Sequence, residues 1–442
     1  MTTAREVALD VTAHVRIDDA YSNLILPNAI RDARLSSRDS GHATDLTYGS
    51  LRWRSLLDGV LRDCVTGSWA RVDADVLDLL RLATYELIVR RDPPHIINEW
   101  VNLANRRVRR ASGFVNATLR AVSKRTPEEW RESITANATN IAGLAIAYSH
   151  PEWIVREFTE LLGASEADEL LVANNTPPVP TLIALPGLAH RPIGAEPTPF
   201  SPFGFHSRGG SLNEEPGVTD GVVRVQDEGS QLAALLLTAV APIRGGERWL
   251  DLCAGPGGKT AVLAAVGLVA GVTVEANEEQ AHRAELVRKS LAPFGGRVDV
   301  TVRDGRELCS ENPDAFDRIL VDAPCTGLGA LRRRPESRWR KSLEDLDELV
   351  PLQRELLSAA LGSLTVGGVV AYVTCSPLTE ETVDVVDAVL AERPEAEALD
   401  TAATLGVVAP HMTGATRGTA VQLYPHRHDT DAMFIQLIRR TR

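Results

Sequence analysis

The stretch that decides the fold is "LDLCAGPGGKT", residues 250–260. An apolar, strand-like lead runs into a cluster of glycines and then into Lys259 and Thr260. A phosphate loop needs a glycine, any four residues, and then Gly-Lys-Ser/Thr. Counting back from Gly258 puts Cys253 where that first glycine should stand. The loop therefore lacks the shape of a triphosphate cradle, and its ligand must be read from what surrounds it.

Around this loop, strand-like and helix-like pieces alternate from residue 223 to the end. "ERWLDLC", "GVTVEA", "VDVTVRD", "DRILVDA", "GGVVAYVTC" and "AMFIQLI" read as strands; "SQLAALLLTAV", "GKTAVLAAVG", "EQAHRAELVRKSLA" and "LVPLQRELLSAALGSL" read as helices. Such alternation predicts an α/β fold over 223–442, a mostly parallel, doubly wound, Rossmann-like sheet with ligands beyond the C-terminal strand ends. Residues 1–140 carry helical periodicity throughout, as in "VLDLLRLATYELIV", where Val76, Leu79, Leu80, Leu82, Leu87 and Ile88 recur near helical spacing. They predict an all-α domain. The span 141–222 reads as a small α+β linker subdomain, and its Pro- and Gly-rich part, 176–222, suggests no role.

The bulk properties narrow the class. A chain of 442 residues exceeds one typical core, so several domains are expected. Its 5 cysteines are scattered without a CxxC pair, which argues against a zinc site or a disulfide framework, and no metal is expected. The start "MTTAREVALD" does not read as a signal peptide, and no apolar run is long enough to span a membrane. A cytoplasmic protein is expected, as a monomer. The net charge of −12 does not by itself exclude a nucleic-acid partner, because phosphates respond to local basic patches. Two such patches stand out, "RRVRR" (106–110) and "LRRRPESRWRK" (331–341).

The strand ends carry the chemistry. After the glycine loop, "GVTVEANE" offers Glu275 at a place suited to the two hydroxyls of a ribose. "VRDGRE" offers Asp304, "VDAPC" offers Asp322 and Cys325, and "VTCSP" offers Cys375. An adenosine-like ligand fits, either a nicotinamide dinucleotide or S-adenosylmethionine. The two cysteines choose between these. At the ends of neighbouring strands both thiols should face one cleft, and no nicotinamide reaction obviously needs such a pair. Methylation of a cytosine at carbon 5 does, because that carbon becomes nucleophilic only after a thiolate adds to carbon 6. A carboxyl group bonding near ring N3 would stabilise the developing charge.

These motifs, "DLCAGPGGKT", "FDRILVDAPCTGLGALRRRPE" and "VVAYVTCSP", together with "VQDEGSQLAALLL" (225–237), resemble the RNA cytosine-5 methyltransferases of the RsmB/Sun (Fmu) type, in the NOL1/NOP2/Sun family. The segments "SSRDSGHATDLTYGSLRWRSLLDGVL", "LRLATYELIV" and "GFVNATLRAV" resemble the NusB-like RNA-binding domain fused to that subfamily. The resemblance implies a class I methyltransferase domain using S-adenosyl-L-methionine, with 16S rRNA as substrate, free or in an early assembly intermediate. It implies that Cys253, Ala254, Gly255, Pro256, Gly257, Gly258 and Lys259 form the cofactor loop, largely through backbone atoms. Glu275 would take the ribose hydroxyls, Asp304 the adenine end, and Asp322 would lie between cofactor and base. Cys375 would be the nucleophile and Cys325 would assist release of the product. Arg332, Arg333, Arg334 and Arg338 would hold RNA phosphates, with Arg106, Arg107, Arg109 and Arg110 as a second RNA surface. Arg283 is left out, because "EANEEQAHRAELVRKSLAPFG" departs from the family pattern, and "DAMF" (431–434) replaces the common Asp-Gly-Phe-Phe. The alternatives are a transfer-RNA cytosine-5 methyltransferase and a non-catalytic NusB-like RNA-binding or antitermination factor.

Overall fold

The computed structural model describes residues 2–136, 140–210, 212 and 215–442. It divides into two compact units, Met1–Pro177 with Leu331–Lys341, and Pro178–Ala330 with Ser342–Arg442. This differs from the boundaries expected at 140 and 222. The first unit holds the helices α1 (Ala4–Ile17), α2 (Ser22–Ala33), α3 (Ser37–Arg52), α4 (Arg54–Cys64), α5 (Ala74–Thr84), α6 (Ile96–Arg107), α7 (Ser112–Val122), α8 (Pro127–Thr135), α9 (Ile141–Ala147), α10 (Glu152–Leu162) and α11 (Ala164–Asn174). The last three belong with the preceding helices because α9 packs on α4 and α8, and α10 packs on α9 and α11.

Local chemistry fixes several helix ends. At α1 the Thr3 hydroxyl accepts from the Glu6 N–H while the Glu6 carboxylate accepts from the Thr3 N–H, a reciprocal cap that Thr126 and Glu129 repeat at α8. Leu57, Leu79, Leu80, Leu82, Trp100, Leu103 and Leu119 form the apolar centre of the helices. The α5 periodicity is legible in the sequence, but the helix runs on into a π-helical turn, Tyr85–Val89, and Glu86 on that turn is fully buried. Its carboxylate accepts from Arg5 Nε and His42 Nε2, each at 2.8 Å, and from the Trp100 indole. Burial favours the neutral acid, but the bonds from His42 and Arg5 and the charge of Arg5 outweigh it and hold the pKa at about 2.

The second unit opens with a three-stranded antiparallel sheet, β1 (Thr181–Ala184), β2 (Gly204–His206) and β3 (Val223–Val225), in the order β2-β1-β3. Ile183 and Leu185 join the core of the larger sheet, so this small sheet packs with the elements C-terminal to it. Then come α12 (Glu228–Ala239), β4 (Arg248–Asp251), α13 (Gly258–Gly267), β5 (Thr273–Asn277), α14 (Ala281–Ser290), β6 (Val298–Thr301), α15 (Gly305–Glu311), β7 (Phe316–Asp322), α16 (Asp345–Ser363), β8 (Leu364–Thr374), α17 (Val383–Glu392), β9 (Ala396–Ala398), α18 (Thr401–Val408), β10 (Thr416–Arg417), β11 (Ala420–Gln422), α19 (Pro425–His428) and β12 (Phe434–Arg440).

The large sheet runs β10-β11-β12-β8-β7-β4-β5-β6, with β9 also pairing β12. Strands β4 to β8 are parallel in every pairing, whereas β12 is antiparallel to β8. One face is covered by α12, α13 and α18, and the other by α15, α16 and α17, which gives two apolar layers. The near-continuous apolar run of β8 is buried on both faces, as a central parallel strand requires. Chain order moves outward from β4 in both directions, so β4 and β7 flank the switch point where such sheets bind ligands.

Replacing Glu86 with Gln removes the charge and one of the two acceptor oxygens that serve Arg5, His42 and Trp100. The helical unit should lose roughly 3 kcal/mol of stability at neutral pH. Because folding depresses this pKa, Glu86 stabilises above the unfolded value of 4.5, and the contribution is lost as pH falls through about 2. Thermal midpoints measured against pH should therefore drop less steeply in that window for Glu86→Gln than for the wild-type chain.

Candidate active site

The glycine loop turns from the end of β4 into α13. Gly257 caps α13 at φ 103°, a left-handed conformation, and a Cβ there would come within 2.7 Å of Ser290. At Gly255 a Cβ would overlap the Glu278 carboxylate, whose Oε2 accepts from the Gly255 N–H at 3.0 Å. The Gly255 carbonyl in turn accepts from Arg283 Nη2 at 2.8 Å. Ala254 N–H donates to the Asn277 carbonyl at 2.8 Å, tying the loop to the end of β5. The loop packs this tightly against Glu278, Arg283 and Ser290 only because side chains are missing from it.

Glu275 does not reach this loop. It sits within β5 opposite Leu250 and pairs with Arg248, at the start of β4, at 2.7 Å. The strand continues to Asn277, so the buried acid at its end is Glu278. The Glu275 carboxylate is thus engaged by Arg248 three residues short of that acid. Asp304 caps α15, accepting from the Arg306 N–H at 2.8 Å and from its guanidinium.

Asp322 ends β7 and pairs with Lys259 Nζ at 2.6 Å. The lysine of the glycine loop thus turns toward the neighbouring strand. Burial works against its charge, but Asp322 outweighs this, and Cys375 adds to the upward shift. The Cys325 and Cys375 sulfurs lie 3.4 Å apart. The hydrogen bond and charge of Cys375, together with burial, push the Cys325 thiol well above its ordinary pKa. Asp251, at the end of β4, is buried and accepts from the Thr260 hydroxyl at 2.6 Å. Burial and the charge of Asp322 raise its pKa to about 7 although the Thr260 bond opposes the shift.

Several of these supports escape a sequence reading. Glu381, fully buried, accepts from the Thr326 N–H at 2.7 Å and from Gln353 Nε2 at 3.1 Å, while Gln353 also donates to the Pro324 carbonyl at 2.8 Å. Together they brace both sides of Cys325. Beyond it, the Gly329 N–H donates to the Cys375 carbonyl at 2.9 Å, an approach that no Cβ at 329 would permit. Asp251 has a legible signal as the acid just before the glycine loop; Glu381 has none.

The basic patch after this motif behaves differently from the expectation. Arg338 is fully buried in the helical unit and donates to the Ser149 carbonyl and Asn175 Oδ1, each at 2.9 Å, and to the Asn174 carbonyl at 3.2 Å. Arg332 is also buried there, and its carbonyl accepts from Arg52 at 2.9 Å. Neither can hold RNA phosphates, because both side chains are enclosed by the fold. Arg333 is half-buried, and Arg334 is exposed beside Tyr21. In the other patch Arg106, Arg107, Arg109 and Arg110 are exposed, with Arg106 paired to Glu6 and Arg107 to Asp10.

The sequence matches the family described as 16S rRNA methyltransferase RsmB/F over residues 238–439 and the NusB family over residues 2–124. A putative methyltransferase of Mycobacterium tuberculosis is 42% identical, covering 99% of this chain and 96% of its own. The chain belongs to the RsmB/F family of methyltransferases. Other relatives are the probable ribosomal RNA small subunit methyltransferase B of Bacillus subtilis, 30% identical over 99% of both chains, and the Pseudomonas putida ribosomal RNA small subunit methyltransferase B, 33% identical over 86% of this chain and 87% of its own. Among solved structures, PH0851 superposes with a TM-score of 0.81 at 22% identity, covering 99% of this chain and 98% of its own. NSun6 from Pyrococcus horikoshii, solved with SFG, gives 0.55 at 19% identity over 66% and 98%. This RsmB/F member is an S-adenosylmethionine-dependent methyltransferase with a helical NusB domain ahead of its catalytic sheet. No helix among its described residues is long and apolar enough to cross a membrane.

Asp251 carries a pH signature. Its folded pKa lies above the ordinary 3.8, so the stability it permits is complete below that value and declines as pH rises through about 7. Asp251→Asn keeps an acceptor for Thr260 without the charge. Its thermal midpoint should vary less than that of the wild-type chain between those two pH values.

Proposed function

We propose that the enzyme methylates carbon 5 of a cytosine in small-subunit ribosomal RNA through a covalent bond between Cys375 and carbon 6 of the base. The observation that carries this reading is the 3.4 Å separation of two thiols at adjacent strand ends, beside the Lys259–Asp322 pair. The RNA class is supported by the names of the Bacillus and Pseudomonas relatives.

The site fits S-adenosylmethionine: glycines at 255 and 257 let the loop turn tightly against Glu278 and Ser290 at the C-terminal end of the sheet, and the buried Glu278 carboxylate at the end of β5 suits ribose hydroxyls. When bound, the cofactor supplies an electrophilic methyl group. Glu278, rather than Glu275, takes the ribose role, Cys253 to Lys259 line the cofactor through their backbone, and Asp304 serves the adenine end.

The chain's own residues manage the base. The Cys375 thiolate adds to carbon 6, which drives electron density toward carbon 5 and ring N3. Lys259 and Asp322 offer a donor and an acceptor that can bond N3 and the exocyclic amine. At rest Cys325 holds the proton of the pair, because a charged Cys375 beside it disfavours a second thiolate. Once Cys375 is bonded to carbon that repulsion is gone, and Cys325 can release its proton to solvent. Its thiolate then takes the hydrogen from the methylated carbon 5 as the carbon–sulfur bond breaks and Cys375 leaves as thiolate. One proton is released overall, as the reaction demands.

Incubation with labelled methyl donor and total RNA should yield labelled 5-methylcytosine in small-subunit ribosomal RNA, and absence of transfer to any RNA rejects the reading. Cys375→Ala should lose at least about 1,000-fold in turnover, on the order expected for removal of a nucleophile. Cys325→Ala should accumulate a protein–RNA adduct that survives denaturation. An adduct seen only in Cys375→Ala reverses the two roles. For the cofactor, Glu278→Gln should weaken S-adenosylmethionine binding by about tenfold or more, roughly one charge-assisted hydrogen bond. Glu275→Gln should leave it nearly unchanged in the same calorimetric titration.

A further inference from the structure

We propose that a cavity in the helical unit binds a phosphate group of the RNA backbone, with the Arg54 guanidinium as its principal contact. The proposal rests on the RNA reading above and adds a second contact outside the catalytic sheet. The cavity has a volume of about 190 Å³, well beyond what one buried water needs. It is walled by α1, α3, the start of α4, α5 and the segment that carries Trp339 and Arg340.

Most of the charges around it are paired, and the buried Glu336 that also lines it accepts from the Ser22 N–H and hydroxyl, each at 3.0 Å. Arg16 donates to Asp78 at 2.7 Å and to Asp75, and Arg81 forks onto Asp58 at 2.7 and 2.9 Å. Arg340 pairs with Asp19 at 2.8 Å and donates to the carbonyls of Val15 and Ala20. Arg54 has no hydrogen-bond acceptor among the described residues; it is half-buried, with its guanidinium 5.6 Å from the centre of the Trp339 ring. The Asp78 oxygens bond Arg16 and Arg81 and none bonds Arg54. Burial and the nearby charges of Arg81 and Arg16 all disfavour the Arg54 cation, although Asp58 and Asp78 oppose them.

A guanidinium held this way has unused donors in a planar fork, and its ring contact fixes the orientation of the fork. That geometry matches two oxygens of a phosphate, which would satisfy those donors in a partly dry site. The cavity is walled by protein on several sides, so an anion bound there would lose much of the screening that weakens exposed pairs.

The test measures RNA binding by the full chain over a range of KCl, for wild type, Arg54→Gln and Arg54→Lys. Arg54→Gln should lower affinity about three- to tenfold and reduce the slope of log affinity against log salt by about one, as loss of one phosphate contact predicts. Arg54→Lys should retain most of the slope. Inorganic phosphate should weaken wild-type RNA binding more than chloride does at matched ionic strength, and should lose that advantage in Arg54→Gln. Unchanged affinity and slope in Arg54→Gln overturn the proposal. So does a phosphate-dependent rise in melting temperature without any effect of Arg54→Gln on RNA binding, which would leave a free-anion site only. Should Arg54→Gln fail to fold, equal competition by phosphate and chloride in the wild-type chain overturns it. Methyl transfer is measured separately: its absence in the wild type sinks the catalytic reading, whereas RNA binding with an unchanged salt slope sinks only this one.

Discussion

The register between β7 and β8 is the constraint on which the chemistry depends. Asp322 lies opposite Val373, and the ladder continues with the Ala323 N–H donating to the Val373 carbonyl at 2.9 Å. Because both strands run the same way and stop together, the chain leaves each of them toward the same side. Cys325 and Cys375 come directly after, and their sulfurs meet. A slip of one residue would turn every side chain of β8 to the opposite face and separate the thiols. The buried apolar residues on both faces of β8 prevent that slip, so the hydrophobic core itself sets the geometry of the reacting sulfurs.

A second layer of control is electrostatic. Asp251, Asp322 and Lys259 end or follow strands at the switch point, and one lysine serves a cluster holding two carboxyl groups and two thiols. The consequence is a division of protonation states: Lys259 is held charged, Asp251 is pushed toward neutrality, and Cys325 is kept a thiol. Such separation of neighbouring groups is what acid–base work at a single pocket requires. Glu381 and Gln353 add rigidity without touching any reacting atom, since they bond the backbone on either side of Cys325.

How much of this is legible in the sequence depends on whether the signal is local. The glycine loop, the strand alternation and the paired cysteine motifs lie in short windows, and the sheet follows from them. Glu275 lies inside its strand rather than at the end because strand length is not fixed by apolar pattern alone: β5 runs to Asn277, which moves the end of the strand past the first acid. Arg283 lies in a stretch without a familiar pattern, yet its guanidinium bonds the loop carbonyl at Gly255. Glu381 lies 55 residues beyond the backbone N–H it braces, and no spacing rule links them. The arginine run reads as a surface stripe because charge suggests solvent. Burial of Arg338 among carbonyl and amide acceptors is a tertiary fact, and composition carries no trace of it.

That buried arginine has an architectural consequence. Residues 331–341 are part of the catalytic sequence by position, but the helical unit closes around them. The polypeptide leaves one folded body for about ten residues, completes the interior of another, and returns. Expression of residues 2–177 alone would leave the carbonyls of Ser149 and Asn174 without their donor. Cutting the gene at the apparent domain border would thus damage the amino-terminal half through a piece encoded far downstream. The fusion is written into the packing as well as the chain.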